Sequence, residues 1–166
     1  MIIEKQISRA EVFALLSEIP DPEIPVISIV DLGIVRDIEI VENQLTITIT
    51  PTYTGCPAMK VIEEDIFSVL KKNGFENVQI KNILSPAWTT DWLTQEAKKK
   101  LLDYGIAPPE KTTSDKNILL GKSKKIACPR CRSLNTEMKS QFGSTACKAL
   151  YVCKDCREPF DYFKCI

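Results

Sequence analysis

Apolar positions repeat with two periods along the first two thirds of the chain, and each change of period marks an element. Val12, Phe13, Leu15, Leu16 and Ile19 recur at helical spacing. Ser8-Arg9-Ala10-Glu11 stands in front of them as a capping box, in which Ser8 and Glu11 each satisfy an N–H group at the helix start. Pro20, Pro22 and Pro25 end the helix and hold an extended loop. The period then drops to two. Ile34, Ile38 and Ile40 share one face of a strand, and Leu45, Ile47 and Ile49 one face of the next, with a turn at Glu42-Asn43. Thr46, Thr48 and Thr50 line the opposite face. From about Pro57 to Lys72 the helical period returns, with Val61, Ile62, Ile66, Phe67, Val69 and Leu70 expected inward and Asn73-Gly74 as the stop. A third strand is expected over about Asn77 to Leu84. A third helix is expected from Asp91 to Tyr104, with Gly105 past its end.

This order predicts an α+β fold, a small mixed sheet with helices on one face, over residues 1–109. Pro108-Pro109 stops the last helix and polar residues follow, so 110–126 reads as a linker, with Ile118-Leu119-Leu120 able to dock on either side. Residues 127–166 form a separate small module. There Phe142 to Val152 reads as a turn into a strand, and Phe160 to Lys164 as a last strand.

Cysteine placement gives that module its chemistry. Every cysteine but Cys56 lies at Cys128 or beyond. Cys128-Pro129-Arg130-Cys131 and Cys153-Lys154-Asp155-Cys156 are two C-x-x-C hooks. Each points two sulfurs at one centre, and two facing hooks make a closed tetrahedral shell suited to a structural zinc, or to iron in the same site. A module of roughly 40 residues builds little core, and metal binding can supply on the order of 10 kcal/mol toward its folding. The pattern is that of a zinc ribbon: knuckle, strand, strand, knuckle, strand. Such knuckles usually continue with glycine, which tolerates a left-handed turn. This chain has Arg132 there, so a strained or reshaped knuckle is expected. A disulfide framework is the alternative. It suits secreted chains, and the N-terminus lacks the basic and apolar segments of a secretory leader, so a cytoplasmic protein is expected.

Composition narrows the functional classes. The formal net charge is zero, with 22 basic and 22 acidic residues, and predicts no nucleic-acid or membrane partner. Histidine is absent, which excludes Ser-His and Cys-His catalysis and mixed Cys/His zinc sites. There is no glycine-rich nucleotide loop and no Glu-x-x-His di-iron motif.

Cys56 is the outlying thiol. In Thr54-Gly55-Cys56-Pro57 it sits between a strand and a helix, at or next to the helix N-cap, because proline favours the first helical position. A helix N-terminus favours a thiolate, which is a nucleophile, a sulfur acceptor or one ligand of a transient metal centre; a small buried capping residue is the plainer reading. Asp21 and Glu23, followed by Asp31, place three carboxylates in loops at sheet ends, either as acid–base or metal ligands or as turn caps. Trp88 and Trp92 read as a ligand platform or as packing anchors. Cys147 lies an even number of positions from Cys153, so both face one side of a straight strand. Cys147 and Cys165 are either an exchangeable thiol pair beside the metal or ribbon packing.

The Asp21-Pro22-Glu23-Ile24-Pro25 and Asp31-Leu32-Gly33 segments, with the Thr-rich strand leading into Gly55-Cys56-Pro57, resemble the iron–sulfur-assembly domain family. Pro86 to Trp92, Tyr104 to Pro109, Phe142 to Tyr151 and Glu158 to Cys165 narrow the resemblance to the PaaD (PaaJ) family, accessory proteins of the phenylacetyl-CoA oxygenase (epoxidase) system. The resemblance implies a non-catalytic factor of aerobic phenylacetate degradation that assists iron–sulfur or iron maturation of the oxygenase or its reductase. Beside it stand the expectations from the residues themselves: a structural zinc on Cys128, Cys131, Cys153 and Cys156, and a transient iron–sulfur or thiol site at Cys56, rimmed by Asp21, Glu23 and Asp31. Implied partners are the oxygenase subunits or reductase, the iron–sulfur assembly machinery and a second copy of the chain. A structural adaptor subunit, or an electron carrier with iron in the four-cysteine site, are the alternatives.

Overall fold

The computed structural model describes residues 8–110 and 125–164. The expected docking segment Ile118-Leu119-Leu120, most of the expected linker and Cys165 lie outside the described residues. The chain forms two compact units, Met1–Pro86 and Ala87–Ile166.

In the first unit α1 spans Arg9–Ser17. Its start is the expected capping box: the Ser8 side chain accepts the Glu11 N–H, and the Glu11 carboxylate accepts the Ser8 N–H. The strands β1 (Val35–Val41) and β2 (Gln44–Ile49) form an antiparallel hairpin, and β3 (Val78–Asn82) adds to β2 in parallel. The sheet is therefore mixed, in the order β1-β2-β3. Register places Ile38 opposite Ile47 and Ile40 opposite Leu45, so the alternation read from the sequence builds one apolar face. Helix α2 (Ala58–Lys72) packs with α1 on that face. The other face carries Glu39, Thr46, Thr48, Gln79 and Lys81, all partly or fully exposed.

Helix α2 buries Met59, Ile62, Ile66 and Leu70. Burying each such side chain contributes roughly 1.5–3 kcal/mol. Val61 and Phe67, expected inward, are 44% and 43% exposed. Three strands offer a narrow floor, and it is covered by the stripe at Ile62, Ile66 and Leu70; Val61 and Phe67 lie to either side of that stripe.

The second unit differs most from expectation. The third helix, α3, spans Gln95–Tyr104, shorter than read, because a 3-10 turn over Thr90–Trp92 precedes it. Thr94 caps α3 by accepting the Ala97 N–H, and Gly105 closes it at φ 94, a left-handed position suited to glycine. Directly after Gly105 the chain pairs with the ribbon: β4 (Ile106–Ala107) runs parallel to β7 (Pro159–Phe163). Residues 87–109, expected in the first module, thus fold with the ribbon. A two-residue strand has no periodicity to read, so its pairing was invisible in sequence. The ribbon sheet runs β4-β7-β6-β5, with β5 over Thr136–Ser140 and β6 over Lys148–Cys153. Trp88 is buried edge-on against Phe163, at 6.0 Å and 88°, so it packs the fold rather than presenting a platform with Trp92.

Candidate functional site

The two C-x-x-C hooks meet. Their four sulfurs lie within 4.8 Å of one another, and among the described residues this is the one cluster of three or more thiol or carboxylate ligands fit to hold a metal ion. The Cys128 and Cys156 sulfurs are 3.7 Å apart, and those of Cys131 and Cys153 are 3.5 Å apart. A zinc ion with Zn–S bonds of about 2.3 Å in a tetrahedron requires sulfur separations of about 3.8 Å, so the donor set fits. Cys128 and Cys153 are buried, Cys156 is half-buried and Cys131 is exposed.

Each hook is wound by its own backbone. The Arg132 N–H donates to the Cys128 carbonyl at 2.9 Å, and the Cys128 N–H donates to the Ser133 carbonyl at 2.9 Å. In the second hook the Cys153 N–H donates to the Glu158 carbonyl at 3.0 Å. Both turns close on a left-handed arginine: Arg132 at φ 64 and Arg157 at φ 61. Strain at Arg132 was expected from the sequence. Arg157 holds the same place after its own hook and was missed. A left-handed non-glycine residue costs roughly 1–2 kcal/mol.

Side chains tie the hooks together. The Asp155 carboxylate accepts from the Ser133 hydroxyl and from the Asn135 amide, the latter at 2.7 Å. Those hydrogen bonds, the Ser133 one first, hold its carboxyl below the usual range. Arg130 of the first hook pairs with Glu158 beyond the second at 2.8 Å. The sequence held no sign of this bracing, since its partners are about twenty residues or more apart.

The thiols answer to this setting unequally. The Cys156 backbone N–H, aided by the Asp155 N–H and the neighbouring Cys131 and Cys156 thiols, holds the Cys153 thiol down at about 7 against its burial. The Glu158 N–H acts downward on Cys156, yet burial and the crowding Cys153, Cys131 and Cys128 sulfurs prevail and push it up to about 12. Four thiolates this close repel one another, and a thiophilic divalent cation is what relieves that repulsion.

Cys56 stands one residue before the N-cap of α2, which is Pro57. The cap carries no side-chain hydrogen bond, and the Cys56 carbonyl accepts the Met59 N–H at 3.3 Å. The thiol is half-buried and does not cap the helix. Gly55 before it has φ 81 with open space around, so the backbone turn requires glycine there. The buried Asp21 carboxylate accepts the Glu23 and Ile24 N–H groups at 3.0 and 2.8 Å. Asp31 accepts the Ser28 N–H at 3.2 Å, and the Ser28 hydroxyl accepts the Asp31 N–H. Both carboxylates thus hold turns. Glu23 is half-buried. The Thr50 N–H donates to the Ile34 carbonyl, so the loop containing Asp31 and the loop leading to Cys56 leave the sheet at the same end. Cys147, expected on one strand with Cys153, lies in the turn just before β6, which Cys153 ends; both are buried.

Comparison with known proteins places both parts. A family model described as an iron-sulfur cluster assembly protein matches residues 9–81. A second, the PaaD zinc beta ribbon domain, matches residues 112–164. The chain is 51% identical over 94% of its length, and 92% of the relative's, to an Escherichia coli protein named as one subunit of a "Putative 1,2-phenylacetyl-CoA epoxidase". The chain belongs to the PaaD family. Its first part is also similar to a Porphyromonas gingivalis Fe-S protein maturation auxiliary factor, 32% identical over 57% of this chain and 90% of that protein. A crystal structure of a domain of unknown function from Bacillus anthracis superposes with a TM-score of 0.53 at 32% identity, covering 55% of this chain and 89% of that one. The α+β layer and the ribbon with its cysteine cluster are therefore the family's two parts. No helix among the described residues is long and apolar enough to cross a membrane.

Proposed function

We propose that this chain is a non-catalytic accessory protein of phenylacetate degradation that assists iron–sulfur or iron cofactor maturation of the phenylacetyl-CoA epoxidase or its reductase. The observation that carries the reading is the joining, in one chain, of a domain similar to Fe–S maturation factors with a ribbon of the PaaD type. In this reading zinc on Cys128, Cys131, Cys153 and Cys156 is structural. It supplies a redox-silent cross-link between the hooks.

Cys56 is the working thiol. Its half-exposed position at a helix start, outside the apolar core, suits transient contact with iron, sulfur or a cluster edge. One thiolate is too few to hold a cluster, so further ligands come from a partner or from a second copy of the chain. Asp21, Glu23 and Asp31 shape the loops around that end of the sheet. Expected partners are the oxygenase subunits, the reductase and the assembly machinery, in the cytoplasm.

The test is metal analysis of the oxygenase and reductase from cells carrying Cys56→Ser. The variant should keep its fold and its zinc, while the client proteins emerge iron-poor and growth on phenylacetate falls. Normal growth with fully metallated clients would sink the assignment. A second reading, a structural adaptor subunit, is favoured by the relative's designation as a subunit. Stoichiometric co-purification with the intact oxygenase, with its metal content unchanged by Cys56→Ser, would select it.

A further inference from the structure

Cys147 and Lys164 belong neither to the metal cluster nor to the loops around Cys56. They stand opposite each other where the chain enters β6 and leaves β7. The Lys164 N–H donates to the Cys147 carbonyl at 2.9 Å, and the next pair along the strands is Lys148 opposite Phe163. Continued by one position, the register that pairs Ala149 with Tyr162 and Lys148 with Phe163 sets Cys147 opposite Lys164. Both are nearly sealed, Cys147 at 4% exposure and Lys164 at 5%.

Lys164 is a buried ammonium that forms no ion pair with a carboxylate among the described residues. Its Nζ lies 4.4 Å from the centroid of the Phe142 ring. An ammonium so placed is destabilised unless something offsets its charge. Burial lowers its pKa, and the Cys147 thiolate opposes that fall. The Thr145 hydroxyl stands 3.1 Å from the Cys147 sulfur, where it can donate to a thiolate. A thiol and an amine are thus buried at two backbone-paired positions, the amine beneath an aromatic ring that is itself 58% exposed.

We propose that Cys147 and Lys164 form an oxidation site, at which a small hydroperoxide converts the thiol to a sulfenic acid and the Lys164 amine then closes on that sulfur as a sulfenamide. In the first step the thiolate sulfur attacks the peroxide, the O–O bond breaks, an S–O bond forms and hydroxide leaves. Sulfur gives up two electrons and the peroxide receives them. In the second step the neutral Lys164 amine attacks the sulfenic sulfur. An S–N bond forms, the S–O bond breaks, and one water leaves with the hydroxyl and one amine proton. A dithiol reductant reverses the bond, returning thiol and amine and becoming a disulfide. Burial restricts the oxidant to a small, uncharged hydroperoxide, and the ring of Phe142 is the cover that must move. The product staples β6 to β7 at a pair already joined by a backbone hydrogen bond. Cys56 has no hydrogen-bonded partner for its thiol among the described residues and is not expected to take the second step.

The experiment uses the full-length, zinc-loaded protein. It is treated with graded hydrogen peroxide, digested without reductant and mapped by mass spectrometry. The expected product joins the Cys147 peptide to the Lys164 peptide, is lighter than their sum by two hydrogen atoms, and disappears on treatment with dithiothreitol. It should form before zinc is released. Lys164→Arg keeps the charge but not the nucleophile, and should stop at a sulfenic acid that dimedone captures. Zinc content reports whether that variant is folded, and the wild-type map needs no variant. Cys147 left as an unmodified thiol while zinc is already leaving would overturn the proposal. So would an oxidised Cys147 bonded to another cysteine, such as Cys165.

Discussion

The N-terminal unit fills its core with aliphatic side chains that have no other task. Ile47, Ile49, Ile62, Ile66 and Leu70 are at most 1% exposed. In the C-terminal unit the core and the metal site are one object: Cys128 and Cys153 are buried in the same cluster as Ala149, Tyr151, Phe160 and Tyr162, with Cys156 packed against it. The contrast separates two ways of stabilising a fold. A layered sheet and helix pair draw on apolar area alone. A ribbon whose ligands are also its core residues depends on the ion they hold. It also separates two kinds of cysteine, since Cys56 is absent from any such core and its loss is expected to leave the fold intact.

The largest effect that sharpens this contrast is loss of a hook. Cys128→Ser or Cys156→Ser should remove stoichiometric zinc and most of a metal-linked folding contribution on the order of 10 kcal/mol. The C-terminal unit should lose its near-UV signal while the first unit keeps a cooperative transition. Elemental analysis with thermal unfolding checks it, and an unaltered unfolding profile after complete chelation would break the contrast. Next in size is the complementary change. Ile66→Ala in the first unit should cost about 2–5 kcal/mol by denaturant unfolding, with zinc content unchanged. A fragment ending at Pro86 should still unfold cooperatively, because the residues after it fold with the ribbon.

Acid provides a graded version. Zinc and protons compete for the same sulfurs, so affinity should fall as pH falls, by about tenfold per pH unit for each thiol that takes up a proton. The Cys156 thiol, at about 12, must shed a proton at any ordinary pH to bind, whereas Cys153 adds its share only below about 7. Competition titrations against a chelator should therefore steepen on the acid side of 7. A pH-independent affinity would mean that fewer thiolates hold the metal than the geometry provides. The smallest effect is a gain. Arg132→Gly or Arg157→Gly relieves a left-handed backbone and should stabilise the ribbon by about 1 kcal/mol, read as a rise in its melting temperature. A loss of stability would show that these guanidinium groups contribute more than their backbone strain costs.

Local chemistry decided what the sequence could show by itself. The capping box at Ser8 and Glu11, the alternating isoleucines of the hairpin, the stop at Gly105 and the spacing of the two hooks each act through neighbours a few residues away, so their outcome is written in short segments. The tertiary structure alone decided the rest. It left Val61 and Phe67 outside because three strands cover only one stripe of α2. It drew residues 87–109 to the ribbon through the β4–β7 pairing and seated Trp88 on Phe163. It braced the hooks through Asp155 and buried Lys164 opposite Cys147. Each of these joins residues far apart in the chain, and no period or motif within a segment records which distant partner will supply the missing contact.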